Sequence, residues 1–248
     1  RDSYYTAIML EPPDLAGEAI VAALDAYYGL AVHRPAFLPV GNDSATWVYR
    51  VDAVDGERFF LKVRAGDGFR SSSLVVPHYL QQKGMAHVMA PLPAVGGKQW
   101  VTLEGFMLAL YPFVKGRMGA DGGLTAAQWR AFGALMKQVH GCRLPGAIRS
   151  QVRRESFVPG DRALVDRLEE AIAAGRFENG EARAFAAVWR ERRALIDALT
   201  ARADALGAAL AESGAKPVLC HGDMHPWNIL VEEDGTWWLV AVSYTHLT

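Results

Sequence analysis

The stretch TWVYRVDAVDGERFFLKVR, residues 46–64, constrains the fold of this chain more than any other. Two runs rich in β-branched and aromatic residues flank Val54-Asp55-Gly56, and Asp-Gly supplies the turn chemistry of a hairpin. FLPV before it reads as a further strand, and QWVTLEG with FMLALYPFV as a second strand pair turning at Glu104-Gly105. Helices frame these strands. LAGEAIVAALDAYYGL has Asp14 as its expected N-cap and Gly29 as its stop, and SLVVPHYLQQKG runs to Gly84 with Pro77 near its middle. The first half is therefore expected to be β-rich.

From about Tyr111 to Gly116 onward the periodicity changes to helical. LTAAQWRAFGALMKQVHGC carries a capping box, Thr125 with Gln128, and apolar residues at helical spacing from Trp129 to Val139. Glu181 to Ser213 reads as one long amphipathic helix with Phe185, Val188, Trp189, Leu195, Ile196, Leu199, Ala203, Leu206 and Leu210 on one face. After Pro217 the pattern returns to strands, VLCH, NILVEE and TWWLV, with Asp234-Gly235 as a hairpin turn.

Composition excludes several classes. The net charge is -1, which gives no electrostatic case for nucleic acid or an anionic membrane surface. Cys142 and Cys220 are too few for a disulfide framework, which points to a reducing cytoplasm. The longest apolar run, FMLALY, is too short to span a bilayer. Oligomeric state is not legible. The N-terminus lacks a signal-peptide pattern, and Met9 is a candidate start that would make residues 1–8 a non-native leader.

HGDMHPWN, residues 221–228, carries the chemistry. A carboxylate followed by an amide on a loop suits phosphoryl transfer, which needs a base to orient the acceptor hydroxyl and oxygen ligands for Mg²⁺. Asp223 would be that base and Asn228 a magnesium ligand. Alternatively, His221, Asp223 and His225 alternate and could share a transition metal on a strand, giving a hydrolase. A polar turn with capped backbone groups is the third reading. Lys62, inside the strand FFLKVR, tips the balance toward a nucleotide: an inward strand lysine is costly unless an anion meets it, although strand lysines are ordinarily solvated. VGNDSATW is a small-residue loop suited to placing backbone N–H groups near phosphate.

A β-rich half with a strand lysine, LYPFVKGR, a helical half, HGDMHPWNIL and WWLV together resemble the aminoglycoside phosphotransferase family, nearest its spectinomycin phosphotransferase branch. The resemblance spans residues 9 to about 241. It implies an α+β, two-lobed protein-kinase-like fold with a β-rich N-terminal lobe (9–114) for nucleotide and a mainly helical C-terminal lobe (115–241) carrying the catalytic loop. It implies ATP and Mg²⁺ as cofactors and a small-molecule hydroxyl as acceptor, an aminoglycoside or aminocyclitol such as spectinomycin. Choline, homoserine or sugar kinases and a nucleotide-binding pseudoenzyme stay open. By position, Lys62 would meet the α- and β-phosphates, and Gly41, Asn42 and Ser44 would lie over the phosphates. The backbone around Leu110, Tyr111 and Phe113 would hold adenine. Asp223 would be the base, His221 would order its loop, and Asn228 would hold Mg²⁺.

Two departures qualify this. The family's helix glutamate has no counterpart between Phe69 and Gly84; Ser71 stands near the expected place, and Asp67 is the nearest substitute. The second magnesium ligand is expected at position 241, where Ala241 stands before VSYTHLT. That tail resembles the translation of a transposon-type sequencing adapter joined after one native G. The expectation is that the gene encodes Asp at 241 and continues, and that residues 242–248 are non-native. The chain as given is then expected to be truncated, to expose apolar surface over 185–210 and 226–240, to be poorly soluble and to have little or no activity.

Overall fold

The computed structural model describes residues 11–39, 45–65, 70–158, 160 and 162–240, together with the backbone of 246 and 247. The elements run α1 (Gly17–Tyr28), β1 (Ala36–Leu38), β2 (Thr46–Asp52), β3 (Arg58–Ala65), α2 (Ser72–Gln82), β4 (Val88–Met89), β5 (Val101–Leu103), β6 (Phe106–Pro112) and β7 (Gly116–Met118). Then come α3 (Gly119–Gly122), α4 (Ala126–Gly141), α5 (Gly146–Arg149), α6 (Arg162–Ala174), α7 (Gly180–Glu191) and α8 (Arg193–Glu212). The C-terminal part holds β8 (Leu219–Cys220), a 3-10 turn (Pro226–Asn228), β9 (Ile229–Glu232), β10 (Trp237–Val240) and β11 (His246–Leu247). No helix among the described residues is long and apolar enough to cross a membrane.

The expected hairpin is the centre of a five-stranded antiparallel sheet ordered β1-β2-β3-β6-β5. Gly56, at φ 93°, closes its turn, and Glu104 and Gly105 both take positive φ in the β5–β6 turn. Alternation along β3 sends Phe59, Leu61 and Val63 into a core shared with Ile20, Ala23 and Leu24 of α1, while Phe60, Lys62 and Arg64 occupy the opposite face. Asp14 is not the helix cap. The Leu15 amide bonds the Pro13 carbonyl at 2.7 Å and the Leu15 side chain is buried, so the helix starts later, from Ala16, without a side-chain cap.

A second sheet, ordered β4-β10-β9-β7, is antiparallel except for the parallel pair β4–β10. Its Ile229, Val231, Trp237 and Leu239 pack with α2 and α4 through Val76, Leu80, Leu135 and Val139. The expected exposure of residues 226–240 is therefore mostly wrong: these strands bury one face against the helices, and Trp227 alone among their large apolar residues stands exposed. Thr125 and Gln128 form the capping box as read, and α2 continues through the buried Pro77. β8 pairs with β11.

By contact density the chain divides into two compact units, Arg1–Arg153 with Val218–Leu247 and Arg154–Pro217. The second unit holds α6 to α8. The single helix expected over Glu181–Ser213 is two, separated at Arg192 (φ -96°, ψ 7°) with no Gly or Pro to mark the break. On either side of it Trp189 Nε1 donates to Glu169 at 2.7 Å and Arg193 pairs with the same carboxylate, tying both helices to α6. Phe185, Val188, Leu195, Leu199, Leu206 and Leu210 are exposed, as expected for 185–210.

Glycines test the packing. A Cβ on Gly116 would lie 2.5 Å from the Val231 carbonyl oxygen across the β7–β9 ladder, whereas Gly133, inside α4, meets nothing within 4 Å. Gly116→Ala is expected to destabilise the protein by about 1–3 kcal/mol, and Gly133→Ala to stabilise it by up to about 1 kcal/mol. Denaturant midpoints of the two variants should move in opposite directions; a neutral Gly116→Ala would refute the close ladder.

Candidate active site

The residues 221–228 form a closed loop rather than a strand. β8 ends at Cys220, and Gly222 adopts φ 81°, a left-handed conformation that a side chain would strain. This turn leaves His221 inside, 2% exposed, and brings Asp223 to the surface. The Asp223 amide donates to His221 Nδ1 at 3.3 Å, which needs that nitrogen unprotonated. Past Asp223 the 3-10 turn, with Pro226 at its start, folds the chain back so that the Asn228 amide N–H bonds the His225 carbonyl at 2.9 Å.

Asn228 is buried and its side chain closes the loop. Nδ2 donates to the Asp223 carbonyl at 2.7 Å and to Asp223 Oδ2 at 3.1 Å, and lies 3.3 Å from His225 Nε2. His225 Nε2 is also 3.3 Å from Asp223 Oδ1. Each carboxylate oxygen thus has a neighbour that fixes its direction, while the Asp223 and His225 side chains stay 45% and 42% exposed. An aspartate so held can accept a proton from an incoming hydroxyl. The amide nitrogen of Asn228 faces Asp223, which leaves Oδ1 as its atom for a cation.

The alternation His221, Asp223, His225 does not make a metal triad. The strand ends at Cys220, and no group of three or more His, Cys, Asp or Glu side chains able to hold a metal occurs among the described residues.

Lys62 lies on the face of the first sheet opposite the α1 core, across from Ala109 on β6. A third cluster lies on that face: Leu74, Met89, Ala109 and Tyr111, with Phe60 and Met107 and with Leu230, Trp238 and Val240 of the second sheet. The lysine face and the two strands C-terminal to the Asp223 loop therefore meet in one apolar layer. Burial, and then the charge of Arg64, holds the Lys62 ammonium pKa below its usual value. Lys62 Nζ lies 5.2 Å from the Tyr111 ring centroid.

Several of the other expected contact residues have defined neighbours. The Leu110 carbonyl accepts from Leu92 N–H at 2.7 Å, the Phe113 amide donates to the Arg58 carbonyl at 3.3 Å, and the Phe113 ring stacks on Phe60 with centroids 4.8 Å apart. Ser71 Oγ donates to Gln151 Oε1 at 2.6 Å. Gly41, Asn42, Ser44, Asp67 and Ala241 lie outside the described residues; Val240, in register with Met89, ends the strand before 241. Two contacts went unread in the sequence, His225 on the Asp223 carboxylate and the Tyr111 ring beside Lys62. The second has a signal, since residues two apart on a strand share a face with each other and with their cross-strand partners, but it emerges only once the β3–β6 register is known.

A strand lysine and a loop pairing a directed carboxylate with an amide are residue types that a kinase-like phosphotransferase would use. The chain belongs to the phosphotransferase enzyme family, whose model matches residues 36–242. It is 26% identical over 205 residues to protein StrN of Streptomyces griseus, covering 78% of this chain and 60% of StrN. Among solved structures it is similar to a spectinomycin phosphotransferase in complex with ADP and spectinomycin, with a TM-score of 0.77 at 24% identity over 93% of this chain and 69% of that one. An aminoglycoside phosphotransferase from Alicyclobacillus acidocaldarius matches with a TM-score of 0.55 at 16% identity, over 94% and 67% of the two chains. These likenesses establish the two-lobed, protein-kinase-like α+β fold.

Burial holds the His221 imidazole pKa below its usual value, against the opposing charge of Asp223. The unfolded chain therefore binds this proton more readily than the folded one. The associated stability is complete above about pH 6.5 and is lost as pH falls toward the folded pKa. Thermal melts from pH 7 to 5 should fall more steeply for the wild type than for His221→Gln, by at most about 1.4 kcal/mol per pH unit. Parallel curves would contradict the buried neutral imidazole.

Proposed function

We propose that this protein transfers the γ-phosphate of ATP to a hydroxyl of a small molecule, an aminoglycoside or aminocyclitol such as spectinomycin. The observation that carries the reading is the Asn228 amide 3.1 Å from Asp223 Oδ2, which turns a half-exposed carboxylate toward solvent in a fixed direction. Phosphoryl transfer demands mainly such positioning together with charge stabilisation. Asp223 orients the acceptor hydroxyl and takes its proton as the oxygen–phosphorus bond forms. His221 supports the turn beneath it through the Asp223 amide. Lys62 offers an ammonium to the donor's phosphates, with residues 9–114 serving the nucleotide and 115–241 the catalytic loop. The Leu110 to Phe113 segment and Gly41, Asn42 and Ser44 are proposed nucleotide contacts. A cytoplasmic site of action, where ATP is plentiful, belongs to the same proposal.

Mg²⁺ would neutralise the phosphates in such a transfer, and Asn228 Oδ1 is the oxygen proposed to meet it. The alanine at 241 has no side-chain donor atom, so the residues present do not fit a site with two side-chain ligands at positions 228 and 241. The acidic side chains of α6 to α8, which could attract a cationic acceptor, are partly neutralised by arginines of the same helices. Asp166 and Asp204 pair with Arg162, and Glu169 and Asp197 with Arg193. Ala241, together with the absence of an acidic residue in α2, favours a second reading in which the chain binds nucleotide and transfers phosphate slowly or not at all.

Mass spectrometry of acceptors incubated with the protein, ATP and Mg²⁺ distinguishes these. Phosphorylated spectinomycin, with no product from choline, homoserine or sugars, is the expected result. Asp223→Asn should lower kcat by about 10²–10⁴-fold while leaving the ATP Kd within about twofold. Nucleotide binding with no product from any acceptor would replace the enzyme reading with the second one. If the missing ligand limits transfer, Ala241→Asp should raise kcat by about 10²-fold or more; an unchanged rate would remove position 241 from the mechanism.

A further inference from the structure

We propose that Tyr111 positions Lys62 for a nucleotide phosphate, its ring face orienting the ammonium where related sites use a helix carboxylate. The phosphate as ligand rests on the phosphotransferase reading above; the pairing of the two side chains rests on the sheet itself. Lys62 stands directly across from Ala109, and Tyr111 is the next residue of β6 on the same face. Ala109 is fully buried and offers only a methyl group, so the lysine stem can lean diagonally along the sheet toward position 111. Its Nζ lies 5.2 Å from the ring centroid, within the roughly 6 Å over which a cation is drawn to an aromatic face.

The ring is suited to hold a charge in place. Tyr111 is 6% exposed and sits in the apolar layer with Leu74, Met89 and Ala109. Burial, then Tyr28, raises its hydroxyl pKa well above the usual value, so it remains a neutral phenol with its π-face intact. The alternatives are absent among the described residues. α2 carries no acidic residue, the Ser71 hydroxyl is turned to Gln151, and the neighbouring charge acting on Lys62 is Arg64, which repels it.

The substitution has a chemical consequence. A carboxylate both orients a lysine and neutralises it, so an incoming phosphate must compete for the ammonium. An aromatic face orients the ammonium and leaves its positive charge intact. An incoming phosphate then meets the lysine with no carboxylate competing for it, in a layer where water screens poorly.

The test uses the whole chain with Tyr111→Phe, Tyr111→Leu and Asp67→Asn. The Lys62 ε-methylene resonances, assigned by their loss in Lys62→Arg, should be shifted upfield by the ring current in the wild type and in Tyr111→Phe, and return to ordinary values in Tyr111→Leu. The ATP Kd should weaken about threefold to thirtyfold in Tyr111→Leu and stay within about twofold in the other two variants. Unshifted Lys62 methylenes in the wild type would overturn the pairing, a readout that stands even if Tyr111→Leu fails to fold. Unchanged ATP affinity in folded Tyr111→Leu, or an equal loss in Asp67→Asn, would overturn the positioning role. A wild type that binds no ATP would reject the phosphotransferase reading, and the ring-current shift would then decide the pairing alone.

Discussion

The hydrogen bonds from the Asn228 side chain to Asp223 organise everything else in the candidate site. They close a loop across five positions, and they do so only because Gly222 reverses the chain and Pro226 starts the turn that brings Asn228 back. Asn228 is in turn anchored by β9, the strand that begins at the next residue. Ile229 and Val231 are driven into the core beneath α4, so the amide enters the loop from a fixed strand rather than a mobile tail. Burying an amide is costly unless its hydrogen bonds are made. Here the bonds that satisfy it are also those that aim the carboxylate, so stability and orientation share one interaction.

A second constraint is the apolar layer between the two larger sheets. Tyr111 and Ala109 come from one sheet, Leu230, Trp238 and Val240 from the other, and Met89 from the β4 strand that pairs with β10. β10 is held on its other side by β9, and Trp237 stacks on His87 with centroids 4.3 Å apart. The strand leading to position 241 and the strand bearing Lys62 are therefore positioned against common neighbours. Side chains packed at crystal-like density transmit a displacement rather than absorb it. A change in the layer should consequently be felt by both halves of the site.

Much of this was legible in the sequence where local chemistry decides the outcome. Asp55-Gly56, Glu104-Gly105 and Asp234-Gly235 turn where Gly accepts positive φ, and the Thr125 capping box reports its own helix start. Misreadings occurred where distant contacts won. Asp14 is a good cap by type, but Leu15 is buried and the helix starts later, from Ala16. Nothing in residues 181–213 marks the break at Arg192, because its context lies in Glu169 on another helix. The 226–240 stretch was expected at the surface because the chain was read as truncated, whereas α2 and α4, remote in sequence, cover it. For the site, residue types pointed to Asp223, Asn228 and Lys62, while the neighbours that orient them, His225 and Tyr111, needed the register and the turn.

The two departures from the family pattern act in opposite directions on binding and on chemistry. Each replaces a negative charge near where phosphates would sit. Without a carboxylate in α2, no acidic side chain of that helix competes with an anion for Lys62, which favours holding a nucleotide. Without a carboxylate at 241, a bound Mg²⁺ would have one protein ligand fewer, which would weaken the charge stabilisation that the proposed transfer needs. Ground-state binding and transition-state stabilisation are separate quantities, and only the second accelerates the reaction. Asp223, shaped by Asn228 and His225 without reference to either departure, remains poised as a base. On the proposed reading, the carboxylate loop and the lysine face are each held by their own contacts, so a loss of activity would fall on the metal.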